Sequence, residues 1–192
     1  LSYGNVAPAE RVGLLRQALQ LRQVTVESTV GTDDAISSTR MMLARALDDN
    51  ADSAEAEVQL RTRAAELPPP AAQDRSRQAL HQRVQRVLAQ VDLAWFLMAH
   101  GRMSDAQQTA REALRGVPQR VTASWLHPQQ QALEAVVWSQ LLAPAKDTLA
   151  ADWDAYDTAR RNGLGGSRKV LVHETDRALV AQALRDNRLQ AQ

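Results

Sequence analysis

Any chemistry carried by local spacing in this chain must come from four histidines, a group of aspartates, one glycine-rich stretch and a few arginines, because there is no cysteine. That absence removes disulfides, thiolate zinc sites and thiol nucleophiles. His173-Glu174 opens like the helical zinc motif, which needs a second His four residues after the first to turn both imidazoles toward one metal. Position 177 is Arg, a repelling cation. His81, His100, His127 and His173 show no ligand spacing and read as surface or capping residues. Asp147, Asp152, Asp154 and Asp157 are crowded enough to suggest cation binding or acid–base work. Their spacing distributes them around a helix, which predicts a solvated face. In Gly163-Leu164-Gly165-Gly166-Ser167-Arg168-Lys169, glycine-rich backbone could offer N–H groups to an anion. The order lacks the Gly-Lys-Ser/Thr that leads into a phosphate-binding helix. A flexible loop is expected, with Arg168 and Lys169 as the best anion contacts. Arg75, Arg83 and Arg86 fall within about 80° on one helix and could touch phosphates. No aromatic interleaves them, and 23 basic residues meet 22 acidic ones, so nucleic-acid binding is not expected. No Ser-His-Asp pattern stands at local spacing. The reading assigns no catalytic residue, no metal and no cofactor.

The elements that must position these residues are helices. The chain has 192 residues, 44% hydrophobic but only 4% aromatic, and Ala, Leu, Gln, Arg and Glu, the stronger helix formers, fill most of it. An all-α fold follows. Lys146 and Lys169 are the only lysines, a bias read as a GC-rich bacterial genome. Pro8 opens a first helix, which carries Leu14, Leu15, Ala18, Leu19 and Leu21 and stops in Thr25–Gly31. Thr32-Asp33-Asp34 caps a second, running to Asp48-Asp49-Asn50. Asp52-Ser53 starts a third, ended by Pro68-Pro69-Pro70. A helix of about 40 Å is predicted from Ala71 to His100. Gly101 breaks it, and Ser104-Asp105 caps the next, which ends at Gly116-Val117-Pro118. His127-Pro128 is expected to cap a helix through Leu142, and Pro144 to start one reaching Arg161 and stopping at Asn162-Gly163. Val170–Val172 reads as short strand or buried coil, and Thr175-Asp176 as the cap of a last helix through Leu184. The organisation expected is a set of N-terminal helices over residues 1–67, a proline-rich connector 68–72, a main helical region 73–162, and a loop and helix 163–192, packed as one unit. Leu1 is not an initiator Met, which leaves room for a leader, an anchor or a further domain. No stretch approaches the ~20 apolar residues that span a bilayer. The expectation is a soluble bacterial domain of cytoplasm or periplasm.

Shifted by fifty positions, a portion of the chain overlays itself. Leu43, Ala44 and Leu47 fall on Leu93, Ala94 and Leu97. Ala56, Leu60 and Ala64 fall on Ala106, Ala110 and Leu114, and Pro68 falls on Pro118. The second copy, with Leu93-Ala94, Leu97, Gly101, Ala106, Ala110, Ala113-Leu114 and Pro118, resembles a tetratricopeptide repeat, where small residues sit at the helix crossing and Pro closes the second helix. The family's usual aromatics are replaced here. The first copy departs further, with Ala51 in the turn and Arg63 in place of Ala113. The offset also exceeds the family's period of about 34 residues. The alternative is a plain helical bundle.

The resemblance implies a protein- or peptide-binding scaffold, adaptor or chaperone module whose groove is lined by the stripe Leu88, Val91, Trp95 and Met98, with Met41, Arg45 and Asp48 from the first copy. Aromatic, Met and Arg side chains are those enriched where proteins meet. The competing reading makes Trp95 and Met98 ordinary core. A helical sensor or small-ligand-binding domain of a membrane receptor or regulator is the rival function. The long helix is compatible with a seam between two copies and with a covered position inside one chain.

Overall fold

A computed structural model of the chain describes residues 7–25, 32–66, 76–143, 148–163, 179–183 and 185–186. Those residues form helices α1 (Pro8–Thr25), α2 (Thr32–Asp49), α3 (Ser53–Glu66), α4 (Arg77–Ala99), α5 (Met103–Arg115), α6 (Ala123–Leu142) and α7 (Leu149–Gly163), and residues 179–183 and 185–186 are helical as well. There is no strand among the described residues, and the fold is all-α. The chain divides into two compact units, Leu1–Leu67 and Pro68–Gln192.

In the first unit α1 packs on α2 and α2 on α3. Pro8 is the first residue of α1, where its missing N–H costs no helical bond. Val12, Leu15 and Leu19 of α1, Leu43, Ala44, Ala46 and Leu47 of α2, and Ala56 and Leu60 of α3 are buried. Polar side chains tie the helices where apolar ones do not. Arg22 on α1 donates to the Ala35 carbonyl and to Thr39 Oγ1, both at 2.6 Å. Buried Arg63 donates from Nε to Ser37 Oγ at 2.9 Å. Buried Arg40 donates from Nε to Glu66 at 2.7 Å and from a terminal nitrogen to Gln59 at 3.0 Å. Its second terminal nitrogen closes the ion pair with Glu66.

The second unit stacks its helices in order. α4 packs on α5, α5 on α6 and α6 on α7, and α4 also touches α6. On α5, Ala106, Ala110 and Ala113 are completely covered. Their small side chains let neighbouring backbones approach closely, in the way that small residues do wherever helices cross at short range. Gly116, just past α5, extends this. A Cβ built there would stand 2.8 Å from Val87 Cγ2. A separate cluster of Leu133, Val137, Leu149, Tyr156, Ala159 and Val180 joins α6, α7 and the helical residues around 180.

Several boundaries differ from the sequence expectations. α4 starts at Arg77, not Ala71, because Ser76 caps it: its side chain accepts the Ala79 N–H at 3.1 Å. Twenty-three residues give a helix of about 35 Å. α5 is capped at Arg102, without a side-chain cap, and Asp105 in its first turn pairs with Arg102 instead of forming the cap. α6 begins at Ala123, five residues before the expected proline, so buried Pro128 lies inside the helix. Its missing N–H removes one internal bond, to the Ser124 carbonyl. The described stretch of α7 begins at Leu149, and Asn162-Gly163 belong to its last turn. The connector 68–72, the segment 164–178 and Pro144 lie outside the described residues.

The turns of α2–α3 and α4–α5 have the same construction fifty residues apart. Among the described residues, Ala51 and Gly101 are those with positive φ, 61° and 73°. In each turn this residue donates its N–H to a carbonyl three residues back, Ala51 to Asp48 at 2.9 Å and Gly101 to Met98 at 3.0 Å. The next residue donates to a carbonyl five back, Asp52 to Leu47 and Arg102 to Leu97, both at 2.9 Å. That pair of bonds is the Schellman motif. A side chain in the left-handed region costs about 1–2 kcal/mol, and glycine is free of it. Ala51→Gly is therefore expected to raise the unfolding free energy by about 0.5–1 kcal/mol. Gly101→Val is expected to lower it by about 2 kcal/mol, although a Cβ at Gly101 meets nothing within 4 Å. Urea unfolding of the two variants beside the parent chain checks both signs.

Candidate partner face and basic pocket

The helical period of α4 places Leu88, Asp92, Trp95 and Ala99 in one row. Trp95 is 37% exposed, Ala99 is exposed, and Leu88 and Asp92 are half-buried. The expected groove stripe is divided by this arrangement. Val91 and Met98, the latter 5% exposed, are core residues, while Leu88 and Trp95 look outward. The reason is angular: Val91 and Met98 sit on the side of the row that turns toward the covered residues Val87 and Ala94, and α4 is flanked by both α5 and α6. The first-copy candidates belong to the other unit. There Met41 and Asp48 are half-buried, and Arg45 is exposed at a cavity of about 280 Å³ lined also by Arg11, Leu15, Met42, Ala46 and Asp49. Arg11 and Asp49 face each other across it at 3.5 Å. Arg168 and Lys169 lie outside the described residues.

A second recess forms between α4 and the end of α5. It has a volume of about 510 Å³ and is lined by Arg83, Arg86, Val87 and Gln90 from α4 and by Glu112, Arg115 and Gly116. Arg83 and Arg86 were legible as a basic stripe. Their juxtaposition with Arg115 and Glu112 comes only from the turn at Gly101, which folds α5 back along α4. Its lining carries three guanidinium groups and one carboxylate. Arg75 lies outside the described residues.

The aspartates expected on a solvated face are divided as well. Asp154 is exposed, but the side chain of Asp152 is only 14% exposed and that of Asp157 only 9%. Asp152 accepts from Arg111 at 2.9 Å on α5 and from the side-chain amide of fully buried Gln140 on α6. Thr148 Oγ1 stands 3.0 Å from Gln140 Oε1 and 2.8 Å from Asp152 Oδ2, and accepts from Arg111 at 2.6 Å. This network fastens α5, α6 and α7 together. Local spacing gave no sign of it, since Arg111 and Asp152 are 41 residues apart. Asp157 pairs with Arg161 one turn on, and the Arg160 guanidinium lies 5.9 Å from the Tyr156 ring centre. His81, His100 and His127 are exposed, the His100 ring lying 4.3 Å from that of Phe96. Among the described residues no group of three or more His, Cys, Asp or Glu is arranged to hold a metal ion. No helix among them is long and apolar enough to cross a membrane.

No family model, no curated protein and no solved structure matches the chain.

Removing the carboxylate of Asp152 leaves the buried Gln140 amide and the Arg111 guanidinium without their shared acceptor, a loss of charge-assisted bonds in a partly dry site. Asp152→Ala is expected to destabilise the second unit by about 2 kcal/mol. Asp154→Ala should stay within about 0.5 kcal/mol of the parent. Chemical denaturation of the two variants measures the contrast.

Proposed function

We propose that the chain is a non-enzymatic, partner-binding helical module of the tetratricopeptide kind, presenting the outer row of α4 to a helix or an extended peptide of another protein. The observation that carries this reading is Trp95. It is a large aromatic, 37% exposed beside half-buried Leu88 on a helix that packs against both α5 and α6. Tryptophan concentrates binding energy because it offers a wide, rigid apolar surface at little entropic cost. The stacking order supports the same reading. Two helix pairs share one turn geometry, and α4 rests on both α5 and α6, as each pair in a repeat array rests on the next. Such an array holds its binding face preformed, so a partner pays little for ordering it.

Affinity capture with the native chain and with Trp95→Ala tests the proposal, using circular dichroism to establish that both baits are folded. A discrete protein retained by the native bait and reduced at least about tenfold by the substitution is expected, since an aromatic anchor contributes upward of about 1.4 kcal/mol. Equal retention by both baits would remove this face of α4 from the interface. Met98 is unsuitable for the same test, because replacing a buried side chain disturbs the core before it disturbs any surface.

A further inference from the structure

Within the first unit, α1 and α2 share the cavity of about 280 Å³, and its lining is of two kinds. Leu15, Met42 and Ala46 are apolar, the first and last of them buried and Met42 40% exposed. Arg11, Arg45 and Asp49 carry charge. The helical period sets Met42, Arg45, Ala46 and Asp49 on one face of α2, so the charged and apolar groups border each other. One carboxylate serves two guanidinium groups here. Asp49, one turn beyond Arg45, lies 3.5 Å from Arg11 Nη1, close enough to attract but beyond hydrogen-bond length. Arg45 is exposed and has no hydrogen bond or ion pair with another of the described residues. The Nε–H of Arg11 is closed off from solvent, yet it meets no acceptor among them. A buried donor without an acceptor is costly, and native structures leave few of them.

From these observations we infer that the cavity between α1 and α2 binds a small aliphatic carboxylate. Its hydrocarbon part lies against Leu15, Met42 and Ala46, and its carboxylate takes the donors of Arg45 and Arg11. Arginine suits this task because its planar fork of donors matches the two oxygens of a carboxylate. A neutral apolar molecule would leave the Arg11 Nε–H as it is, and an apolar cation would be repelled by both guanidinium groups. Asp49 favours a ligand with one negative charge over a doubly charged phosphate, since its own carboxylate stands beside the same donors. The cavity of about 280 Å³ holds roughly nine groups at the ~30 Å³ of a water molecule. A carboxylate of about eight carbons fits that volume. All six lining residues lie within α1 or α2, whose backbone groups are engaged along the helices, so an extended peptide finds few main-chain partners here. The occupant is therefore a free small molecule, bound at a site separate from the α4 face.

The test is an NMR titration of the full chain with sodium octanoate, following the methyl signals of its four methionines, with octanamide and acetate as comparison ligands. A Met42→Leu chain assigns the Met42 signal. That signal is expected to shift with a dissociation constant below about 1 mM, within reach of a ligand of about ten non-hydrogen atoms, while those of Met98 and Met103 stay in place. Octanamide, which keeps the hydrocarbon and loses the charge, should bind at least about tenfold more weakly, and so should acetate, which keeps the charge and loses the hydrocarbon. Raised salt should weaken octanoate. Arg45→Gln should weaken it at least about fivefold. Arg61→Gln, which removes an exposed charge paired with Glu57 on its own helix α3, should change it by less than about twofold. The methyl spectra of the ligand-free variants establish that both are folded. Octanamide binding as tightly as octanoate overturns the inference. So does an unchanged affinity in Arg45→Gln, a shift confined to the other methionines, or no shift up to about 10 mM octanoate. Tighter binding of an eight-residue peptide ending in Leu also overturns it, by giving the cavity to a protein segment.

Discussion

The reversal of the chain through one left-handed residue is the constraint on which both helix pairs depend. Ala51 and Gly101 each hold positive φ so that two N–H groups can reach back to the last turn of the preceding helix. Without that reversal the chain could not turn back within three residues, and the second helix could not lie along the first. Ala44 and Ala56 in the first pair, and Ala94 and Ala106 in the second, are buried. Small residues at the crossing convert the tight turn into close packing. The turn at Gly101 also fixes how far α5 travels beside α4, and with it which arginines meet at the far end.

That far end is where the two pairs diverge. One is sealed by buried guanidinium groups on partners of its own, an arrangement that specifies alignment more than it adds stability, because desolvating the charges offsets most of their attraction. The other replaces those partners with Val87, Ala113 and Gly116, and a Cβ at Gly116 would stand 2.8 Å from the Val87 side chain. Apolar closeness does in the second pair what ion pairing does in the first. The consequence is a recess rimmed by charge in one pair and a filled seam in the other.

Polar fastening recurs where the second unit adds its later helices. Asp152 gathers Arg111 and Gln140 from two other helices, with Thr148 completing the set. A carboxylate so placed is costly to leave without its partners, so the network holds α5, α6 and α7 in one alignment. The apolar cluster around Leu133, Val137, Leu149 and Tyr156 supplies the burial that the network itself does not. Trp95 belongs to neither and is 37% exposed on α4.

The residue order alone was enough to establish the helical class, the breaks at Gly101 and near Asn50, and the overlay of Leu43, Ala44 and Leu47 on Leu93, Ala94 and Leu97. Each of these is a matter of local propensity or of spacing along one helix, and such signals act over a few residues. Helix starts were less legible. Pro8 opens α1 as expected, but Ser76 and Thr122 precede α4 and α6, Pro144 lies outside the described residues, and Pro128 lies inside a helix. What a single helix period could not decide was which of several apolar stripes turns inward. Val91 and Met98 are core and Trp95 is not because two other helices flank α4, and nothing in the spacing of those residues encodes that. The same holds for Asp152 with Arg111 and for Arg115 with Arg83. Their meeting depends on where distant helices come to rest, a property of tertiary packing, because contacts between positions tens of residues apart leave no periodic trace in the chain.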